Sequence, residues 1–263
     1  MENNLDDYGI LILSCDKFED TWDPFFKLFD QNWADCPFDI YLGTNTKAYE
    51  SQRVTNIFSG EDKDWSSSLK SILDQIDKKY LYIILDDLFI VEKVNSQNFI
   101  NCFEFLNENN GNLMHYNPKP KPEKTVSSSY GEYGVYNCGM PYTVNVVGCW
   151  KVDYLKNLLL PGENPWNFEI LGSYRASYSD GFYCVLLSPF VYLHSIEKGK
   201  WFEDAAIYLK EHNLFPDSNR DIIKNEFKLL SEIQKIYFSI FMKIPWRYRL
   251  KVMNILRKLL ISY

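Results

Sequence analysis

Short apolar runs alternate with amphipathic segments along roughly the first ninety residues of the chain. Runs rich in Ile, Leu and Tyr predict three buried strands, over residues 8–14, 38–42 and 80–91. Segments with apolar residues at helical spacing predict helices between them, over residues 20–33 and 64–76. Pro24 suits the first turn of the first helix, and Asp64 or a following serine suits the cap of the second. This order predicts an α/β fold in which a mostly parallel sheet is flanked by helices.

The second half of the chain has a less regular pattern. Residues 107–134 are polar and rich in Asn, Pro, Lys and Ser, which predicts a long loop. Beyond it, the pattern predicts a strand, two helices and another apolar run, over residues 145–150, 152–160, 168–175 and 183–192. No internal repeat is visible in the sequence. With 263 residues, the chain is long enough for one large α/β domain, with or without an appended segment.

Two adjacent carboxylates, Asp86 and Asp87, interrupt the apolar stretch YLYIILDDLFIV. Parallel α/β sheets bind ligands at the carboxyl ends of their strands, and two acids there suit a divalent cation that also binds a substrate diphosphate. The alternative is that one Asp caps the next turn while the other pairs with Lys or Arg. Neighbours in a strand face opposite sides, so only one acid is expected to meet a metal directly. We expect Asp87 to do so, with Asp86 turned towards the protein.

Composition and charge limit the classes of function. A net charge of -7 argues against nucleic-acid binding. Aromatic residues form 17% of the chain, enough for some of them to line a cleft that binds bases or sugars. The six cysteines form no CxxC pair, which indicates reduced thiols in a cytoplasmic protein. The sequence predicts neither a secretory signal nor a membrane span, because the N-terminus is acidic and no apolar run approaches ~18 residues.

The C-terminal segment has the opposite charge. Residues 233–263 contain seven Lys or Arg and no Asp or Glu. After Pro245, apolar residues at helical spacing are flanked by basic ones, which predicts an amphipathic helix over 246–263 that lies on an anionic membrane. The alternative is a helix packed against the body of the protein or against a second subunit.

Two segments resemble bacterial GT-A-fold glycosyltransferases, which use nucleotide sugars and take part in surface polysaccharide synthesis. The stretch WSSSLKSILDQIDKKYLYIILDDLF is similar to their helix W-S-x-x-L-x-x-A-L followed by a strand ending L-D-D-x-F. The stretch LLLPGENPWNFEILGS is similar to their P-G-E-x-P-W-x-F-E-x-x-G-S, within a matching segment over 145–176. Together the segments cover about a quarter of the chain. The sequence departs from the commonest GT-A metal motif, in which one residue separates the two acids.

The resemblance implies a GT-A-like domain over residues 1–230, with a nucleotide-binding half (1–106) and an acceptor half (107–230). A basic C-terminal helical extension over 231–263 would follow. The implied activity is transfer of a sugar from a nucleotide-sugar donor to a glycan or lipid-linked acceptor. A divalent metal, Mn²⁺ or Mg²⁺, would bind Asp87, and a late histidine, His194, would complete the site. A structural histidine is the alternative for the latter.

The second motif supplies candidates for chemistry on the acceptor. Glu169 is the candidate general base of an inverting transfer, with Asp180 as the second choice. An acid favoured by the helix dipole is the alternative for Glu169. Trp166 suits stacking on a sugar, Asn145 suits a substrate contact, and Arg175 suits either a phosphate or a salt bridge.

Further candidates for donor contacts follow from fold analogy and from position. Loops after the first two strands occupy the usual places for base and ribose contacts. The hydroxyl-rich start of the second helix can receive phosphate oxygens, although plain capping is the alternative. A lysine in EKGKW suits a loop closing over a diphosphate, or an ordinary solvated turn. The donor-binding candidates are Ser14, Asp16, Thr44, Asn45, Trp65, Ser66, Asp86 and Lys200.

Two other classes of function stay open on the sequence. One is a metal-dependent phosphohydrolase, which also uses carboxylates at strand ends but needs more acids or histidines with clear spacing. The other is a degenerate nucleotide- or glycan-binding protein that assists a partner transferase at the inner face of the cell membrane.

Overall fold

A computed structural model describes residues 5–61, 63–118, 120–140 and 143–224, and the isolated positions 240, 243–245, 248, 251, 252 and 255. Strands of this part are β1 (Tyr8–Leu13), β2 (Asp39–Thr44), β3 (Val54–Phe58), β4 (Tyr80–Leu85), β5 (Leu88–Ile90), β6 (Leu113–His115), β7 (Lys124–Ser128), β8 (Gly131–Tyr136), β9 (Gly148–Lys151), β10 (Phe182–Val185), β11 (Tyr192–His194), β12 (Ile196–Glu197), β13 (Lys200–Phe202) and β14 (Ile222–Ile223). Its α-helices are α1 (Glu19–Asn32), α2 (Trp65–Leu73), α3 (Ser96–Glu108), α4 (Val152–Leu158), α5 (Pro165–Ala176) and α6 (Glu203–Glu211).

A nine-stranded sheet in the order β3-β2-β1-β4-β9-β6-β10-β8-β7 organises the fold. The first four strands pair in parallel, so β1, β2, β3 and β4 all end at one edge, which we call the carboxyl edge. Strand β9 runs antiparallel to both β4 and β6, and β8 runs antiparallel to both β10 and β7. Because β6 and β10 pair in parallel, seven of the nine strands point the same way. The predicted α/β class, with a mostly parallel sheet flanked by helices, is confirmed.

Apolar side chains on both faces of the sheet form two separate cores. On β4, Tyr82 and Ile84 contribute to the core shared with α1 and α3, whereas Leu81 and Ile83 contribute to the core shared with α2, α4 and α5. This alternation is the side-chain period of a strand. It explains why the central strands read as continuous apolar runs, since neither face meets water.

Several element predictions need correction. The predicted strand 80–91 is two strands, since β4 ends before the two acids and β5 pairs antiparallel with β11 in a separate sheet. The predicted loop 107–134 contains β6, β7 and part of β8. Strand β7 reads as polar because it is the last strand of the sheet and largely exposed. The strand β3, at the other edge, was missed for the same reason.

Helix boundaries also differ from the prediction. Helix α1 begins at Glu19, so Pro24 lies inside it and not in its first turn. A proline there leaves the carbonyl four residues earlier without its helical donor. Helix α5 begins at Pro165, three residues before the predicted start, because Asn164 accepts a hydrogen bond from Asn167 N and caps it.

The predicted membrane helix over 246–263 falls almost entirely outside the described residues. In the described part of the chain, none of the helices combines the length and the apolar character that a membrane crossing requires. The division into halves at residue 106 stays a prediction.

Gly148 marks the point where the chain enters β9 between β4 and β6. Its φ is +153°, and a Cβ built there would lie 2.8 Å from the Met114 carbonyl oxygen, a backbone atom that cannot move aside. Gly148→Ala is therefore expected to lower the free energy of unfolding by about 2 kcal/mol or more, through strain and overlap. Urea-induced unfolding measures the change.

The matched control is Gly162→Ala, at φ +86° with nothing within 4 Å of the added Cβ. It carries the backbone strain alone, roughly 1 kcal/mol. Equal stability of the two variants would contradict the steric argument at Gly148.

Candidate functional site

The carboxyl edge brings together the segments that follow β1, β2 and β4. The turn holding Asp86 and Asp87 follows β4 directly, and Asp86 N donates to Leu13 O at the end of β1. Ser14 N donates to Gly43 O near the end of β2. Because parallel strands end together, residues that are far apart in sequence meet here.

Asp86 is buried, with 5% of its surface exposed, and is held on the α1 side of the sheet. Its Oδ2 accepts a hydrogen bond from the Ser14 hydroxyl and lies 3.1 Å from Thr21 Oγ1. The Trp22 indole N–H donates to Ser14 Oγ at 2.7 Å. Burial and the neighbouring Asp87 carboxylate raise the pKa of Asp86 to about 8. Asp86 therefore faces the protein as expected, and the partners that the sequence did not identify are Ser14, Thr21 and, through Ser14, Trp22.

Asp87 turns towards His194. Its Oδ2 lies 3.4 Å from His194 Nε2, and its side chain is 15% exposed. The pairing of β5 with β11 places Leu88 opposite His194 and so brings the two residues together. Burial alone would lower the pKa of His194, but the Asp87 carboxylate outweighs it and raises that pKa above its ordinary value.

The backbone of Asp87 is fixed from the same side. Both the amide and the hydroxyl of Ser195 donate to Asp87 O, at 2.8 and 2.9 Å. Sequence reasoning missed Ser195, although its place directly after His194 was a signal. The Oδ1 atom of Asp87 is buried and has no hydrogen-bond partner among the described residues.

The side chains of Asp87 and His194 are suitable ligands for a divalent cation. A carboxylate oxygen and an imidazole nitrogen both suit Mn²⁺, and Mg²⁺ commonly takes one or two carboxylates while substrate phosphates supply other ligands. Asp87 Oδ1, which has no hydrogen-bond partner among the described residues, is a further oxygen that could bind the cation. The described residues contain no group of three or more His, Cys, Asp or Glu that could hold a metal. The protein would therefore supply two ligands, with phosphate oxygens and water completing the coordination.

Asp16 and Asn45 tie the loops after β1 and β2 together. Asp16 Oδ1 accepts from the backbone amides of Asn45, Thr46 and Lys47 at 3.0–3.1 Å, and Asp16 N donates to Asn45 Oδ1 at 3.2 Å. Partial burial opposes ionisation, but the hydrogen bond from the Thr46 hydroxyl to Asp16 Oδ2, at 2.6 Å, and those from the three amides outweigh it and lower the pKa of Asp16. Thr44 is fully buried and donates to Lys47 O, so it shapes this loop from within.

The two segments that carry the sequence motifs pack against each other. Asp64 caps α2 through Ser67 N at 2.9 Å, and Ser66 donates through its amide and its hydroxyl to Glu163 O, both at 3.2 Å. The Trp65 ring lies 5.4 Å from that of Phe168. Ser66 is buried, so its hydroxyl joins α2 to the segment before α5 and is not presented to a ligand.

Glu169 belongs to the same end of the molecule. Its Oε1 accepts from Val146 N at 3.4 Å, and Asn145 Oδ1 accepts from Val147 N at 2.9 Å. Residues 145–147 lie at the carboxyl edge because β9, which follows them, pairs antiparallel with β4. Burial raises the pKa of Glu169 to about 6. Trp166, one turn earlier on α5, is 65% exposed.

Three predicted site residues have other structural roles. Asp180 precedes β10, and its backbone oxygen accepts from Asn112 Nδ2 at 2.7 Å, at the edge where β6 and β10 begin. That edge is one strand length from the carboxyl edge, about 13 Å for the four residues of β10, so the structure does not bring Asp180 to the carboxyl edge. Arg175 donates to both Glu163 oxygens at 2.6 and 2.8 Å, which is the salt-bridge alternative. Lys200 pairs with Asp221 at 3.0 Å.

Comparison with known proteins found similarity at the level of solved structures. No family model and no curated protein sequence matches the chain. The chain is similar to residues 1–349 of S. aureus TarS in complex with UDP, with a TM-score of 0.46 and 11% identity over 71% of this chain. It spans 59% of that TarS chain.

It is also similar to a cytidylyltransferase from Leptospira borgpetersenii, with a TM-score of 0.41, 10% identity, and coverage of 81% of this chain and 98% of that one. Such likeness concerns the fold alone.

The buried Glu169 has a consequence for stability. Well below pH 4.5 the group is protonated in both states, whereas well above pH 6 it is ionised in both and the folded state bears the cost of burying the charge. Glu169→Gln removes that cost, so its free energy of unfolding at pH 7.5 is expected to exceed that of the wild type by roughly 1–2 kcal/mol. Urea unfolding at about pH 3.5 and at pH 7.5 measures the difference, which should vanish at the lower pH, where the group is protonated in both states.

Glu163→Gln is the control. It breaks the ion pair with Arg175, and removing one partner of a buried pair destabilises, so this variant should lose stability at pH 7.5. A Glu169→Gln variant that is less stable than the wild type at pH 7.5 would contradict the assigned cost of the buried charge.

Proposed function

We propose that this protein is a glycosyltransferase that transfers a sugar from a nucleotide-sugar donor to a glycan or lipid-linked acceptor in bacterial surface polysaccharide synthesis. The observation that carries the proposal is the Asp87–His194 pair at the carboxyl end of β4, with a buried Asp87 oxygen that lacks a partner among the described residues. Ligand sites of parallel α/β sheets lie at this position. The two sequence motifs, which pack against each other through Trp65 and Phe168, support the same class.

Asp87 and His194 would hold Mn²⁺ or Mg²⁺, and the metal would offset the negative charge that develops on the departing nucleoside diphosphate. The protein keeps Asp87 in place through Ser195 on its backbone. Asp86, buried beside it and bound by Ser14, anchors the turn from inside.

Glu169 is the proposed general base, which makes the transfer inverting. With a pKa of about 6, its carboxylate is ionised at pH 7 yet basic enough to accept the proton of an acceptor hydroxyl. Trp166 lies on the same helix at i−3 and is exposed, so its ring is available to stack on a sugar. Asn145, next to the residue that contacts Glu169, is proposed to contact the substrate.

The nucleotide is proposed to lie against the loops after β1 and β2, where Asp16 and Asn45 are joined by hydrogen bonds and Ser14 begins the first loop, and beside Trp65 at the start of α2. Thr44 and Ser66 are buried and would act by shaping these segments. Lys200 would reach a diphosphate only by leaving Asp221.

The basic segment 246–263 is proposed to hold the protein at the inner, anionic face of the cell membrane, in the cytoplasm. The charge pattern supports this, because a surface helix without any acid is unusual.

A second candidate is a degenerate nucleotide- or glycan-binding partner of a membrane glycosyltransferase. It is favoured by the engagement of Asp86 inside the protein, which leaves Asp87 as the one acid of the pair facing His194. No observation favours a phosphohydrolase.

Asp87→Asn tests the donor site. Binding to the native state raises the melting temperature, since ligand at 100 times its Kd stabilises by about 2.7 kcal/mol. The wild type is expected to be stabilised by one member of a panel of UDP, GDP, CMP and dTDP, more strongly with Mn²⁺ than without. Asp87→Asn should lose the Mn²⁺-dependent part, as measured by thermal unfolding.

Asp180→Asn, at the opposite edge of the sheet, is the matched control and should respond as the wild type does. An Asp87→Asn protein with an unchanged Mn²⁺-dependent shift would remove the metal role. Absence of any shift in the wild type would count against nucleotide binding altogether.

Glu169→Gln tests the base. Loss of a general base typically lowers turnover by about 10²–10⁴-fold, whereas the nucleotide-induced shift should persist because Glu169 acts on the acceptor. In the wild type, kcat/KM should rise with pH through about 6 as the carboxylate ionises. Transfer from a panel of nucleotide sugars measures both. Wild-type turnover in Glu169→Gln would exclude this base, and nucleotide binding without turnover in the wild type would favour the degenerate partner.

A further inference from the structure

Arg220 joins two segments that flank the candidate site. Its Nε and one terminal nitrogen donate to the two carboxylate oxygens of Asp20, both at 2.9 Å, and that terminal nitrogen also donates to Lys17 O at 2.6 Å. Its other terminal nitrogen donates to Gly199 O at 3.3 Å. The guanidinium lies over the Phe18 ring, 4.4 Å from its centroid.

The first of these segments, residues 14–20, is the connection from β1 into α1. It begins with Ser14, which binds Asp86, and contains Asp16, which holds the loop after β2. Lys17 O, Phe18 and Asp20, which Arg220 contacts, all lie in the second part of this segment.

The second segment is the hairpin formed by β12 and β13. Lys198 and Gly199 form its two-residue turn with φ values of +49° and +77°, as a tight hairpin turn requires. The hairpin returns to the site, because Phe202 N donates to Ser195 O and Ser195 in turn donates to Asp87 O. Arg220 therefore contacts the tip of an element whose base supports the Asp87–His194 pair.

The strand β14 and its neighbours complete the connection. Ser218 Oγ donates to Asp20 Oδ2 at 2.7 Å and accepts from the Trp201 indole at 3.1 Å. Trp201 N donates to Asp221 O, and β13 pairs with β14 in parallel. The segment 218–223 thus spans from the start of α1 to the hairpin, with Arg220 at its centre.

This contact differs from an ordinary surface ion pair. The side chains of Arg220 and Asp20 are only 15% and 20% exposed, and the pair is bidentate. Exposed pairs contribute little, whereas a partly buried fork that also binds two backbone carbonyls fixes geometry. A lysine side chain has a single ammonium group and cannot form this bidentate contact.

We propose that Arg220 is a positioning residue that locks two parts of the site together, which means that it fixes their relative position through hydrogen bonds to both. One part is the segment 14–20, beside Asp86, and the other is the hairpin of β12 and β13, which supports Asp87 and His194. The proposal rests on the proposed function for its effect on ligands, but the lock itself is a property of the fold. Arg220 contacts Asp20, Lys17 O, Gly199 O and Phe18, so it acts on Asp87 and His194 through the hairpin and Ser195.

Hydrogen exchange of the full chain tests the lock without any ligand. In Arg220→Ala, amides over residues 193–203 and 14–20 are expected to exchange faster, above all Ser195 and Trp201, while β4 amides keep their protection. Arg220→Lys and Asp20→Asn should give the same pattern more weakly and serve if Arg220→Ala does not fold. Arg53→Ala, which breaks an exposed pair with Asp30 on α1, is the matched control and should leave both segments unchanged. Unchanged exchange over 193–203 in all three site variants would overturn the proposal.

Ligand binding supplies a second readout that loss of stability alone would not move. The affinity for UDP with Mn²⁺ is expected to fall about 10-fold in Arg220→Ala, the lower end of the effect of removing a direct partner of a metal ligand. It is expected to recover in part when free guanidinium is added at non-denaturing concentration. A variant that keeps wild-type affinity would overturn the positioning role. If the wild type does not bind UDP with Mn²⁺ or any other nucleotide, the proposed function fails, and the exchange experiment still decides whether Arg220 locks the two segments.

Discussion

The burial of the Asp86 carboxyl is the constraint on which the geometry of the carboxyl edge depends. A carboxyl group placed in an apolar interior needs hydrogen-bond partners. Here Ser14 at the end of β1 and Thr21 in the first turn of α1 surround it, and Trp22 orients Ser14. These contacts hold the start of α1 against the end of β4. Because neighbouring residues diverge, the same contacts turn Asp87 the other way, towards His194.

The two sequence motifs, which form α2 and α5, are brought together by packing. Neither α2 nor α5 touches the Asp86 network through the contacts described above, yet Ser66 and Trp65 fasten α2 to the α5 region. Val146, just before β9, connects α5 in turn to the sheet beside β4. The two stretches that are recognisable in the sequence are therefore two sides of one assembly, with Glu169 at its inner surface and Trp166 at its outer one.

The sequence predicted the parts of the fold where burial is uniform. Strands β1 and β4 have apolar residues on both faces, so their pattern is unambiguous. Edge strands were missed because one or both of their faces meet water and their residues look like loop. Roles that depend on a distant partner could not be predicted either. From the sequence, Arg175 was a candidate for binding a phosphate and Asp180 a candidate base. The fold shows that Arg175 pairs with Glu163 and that Asp180 lies at the opposite edge of the sheet.

The antiparallel pairing of Leu88 with His194 has a consequence for how the chain is partitioned. Residues 88 and 194 are neighbours in space, so the hundred or so residues between them, which include Asn145 and Glu169, form an excursion that begins and ends at this pair. The two ends of that excursion are fixed by local hydrogen bonds, including those from Ser195 to Asp87 O. The largely exposed edge strand β7 therefore has room to change in length or sequence while Asp87 and His194 stay together, whereas β8 buries Tyr133 and Tyr136. In this topology, changes in that edge strand are separable from the pair proposed to hold the metal and the donor.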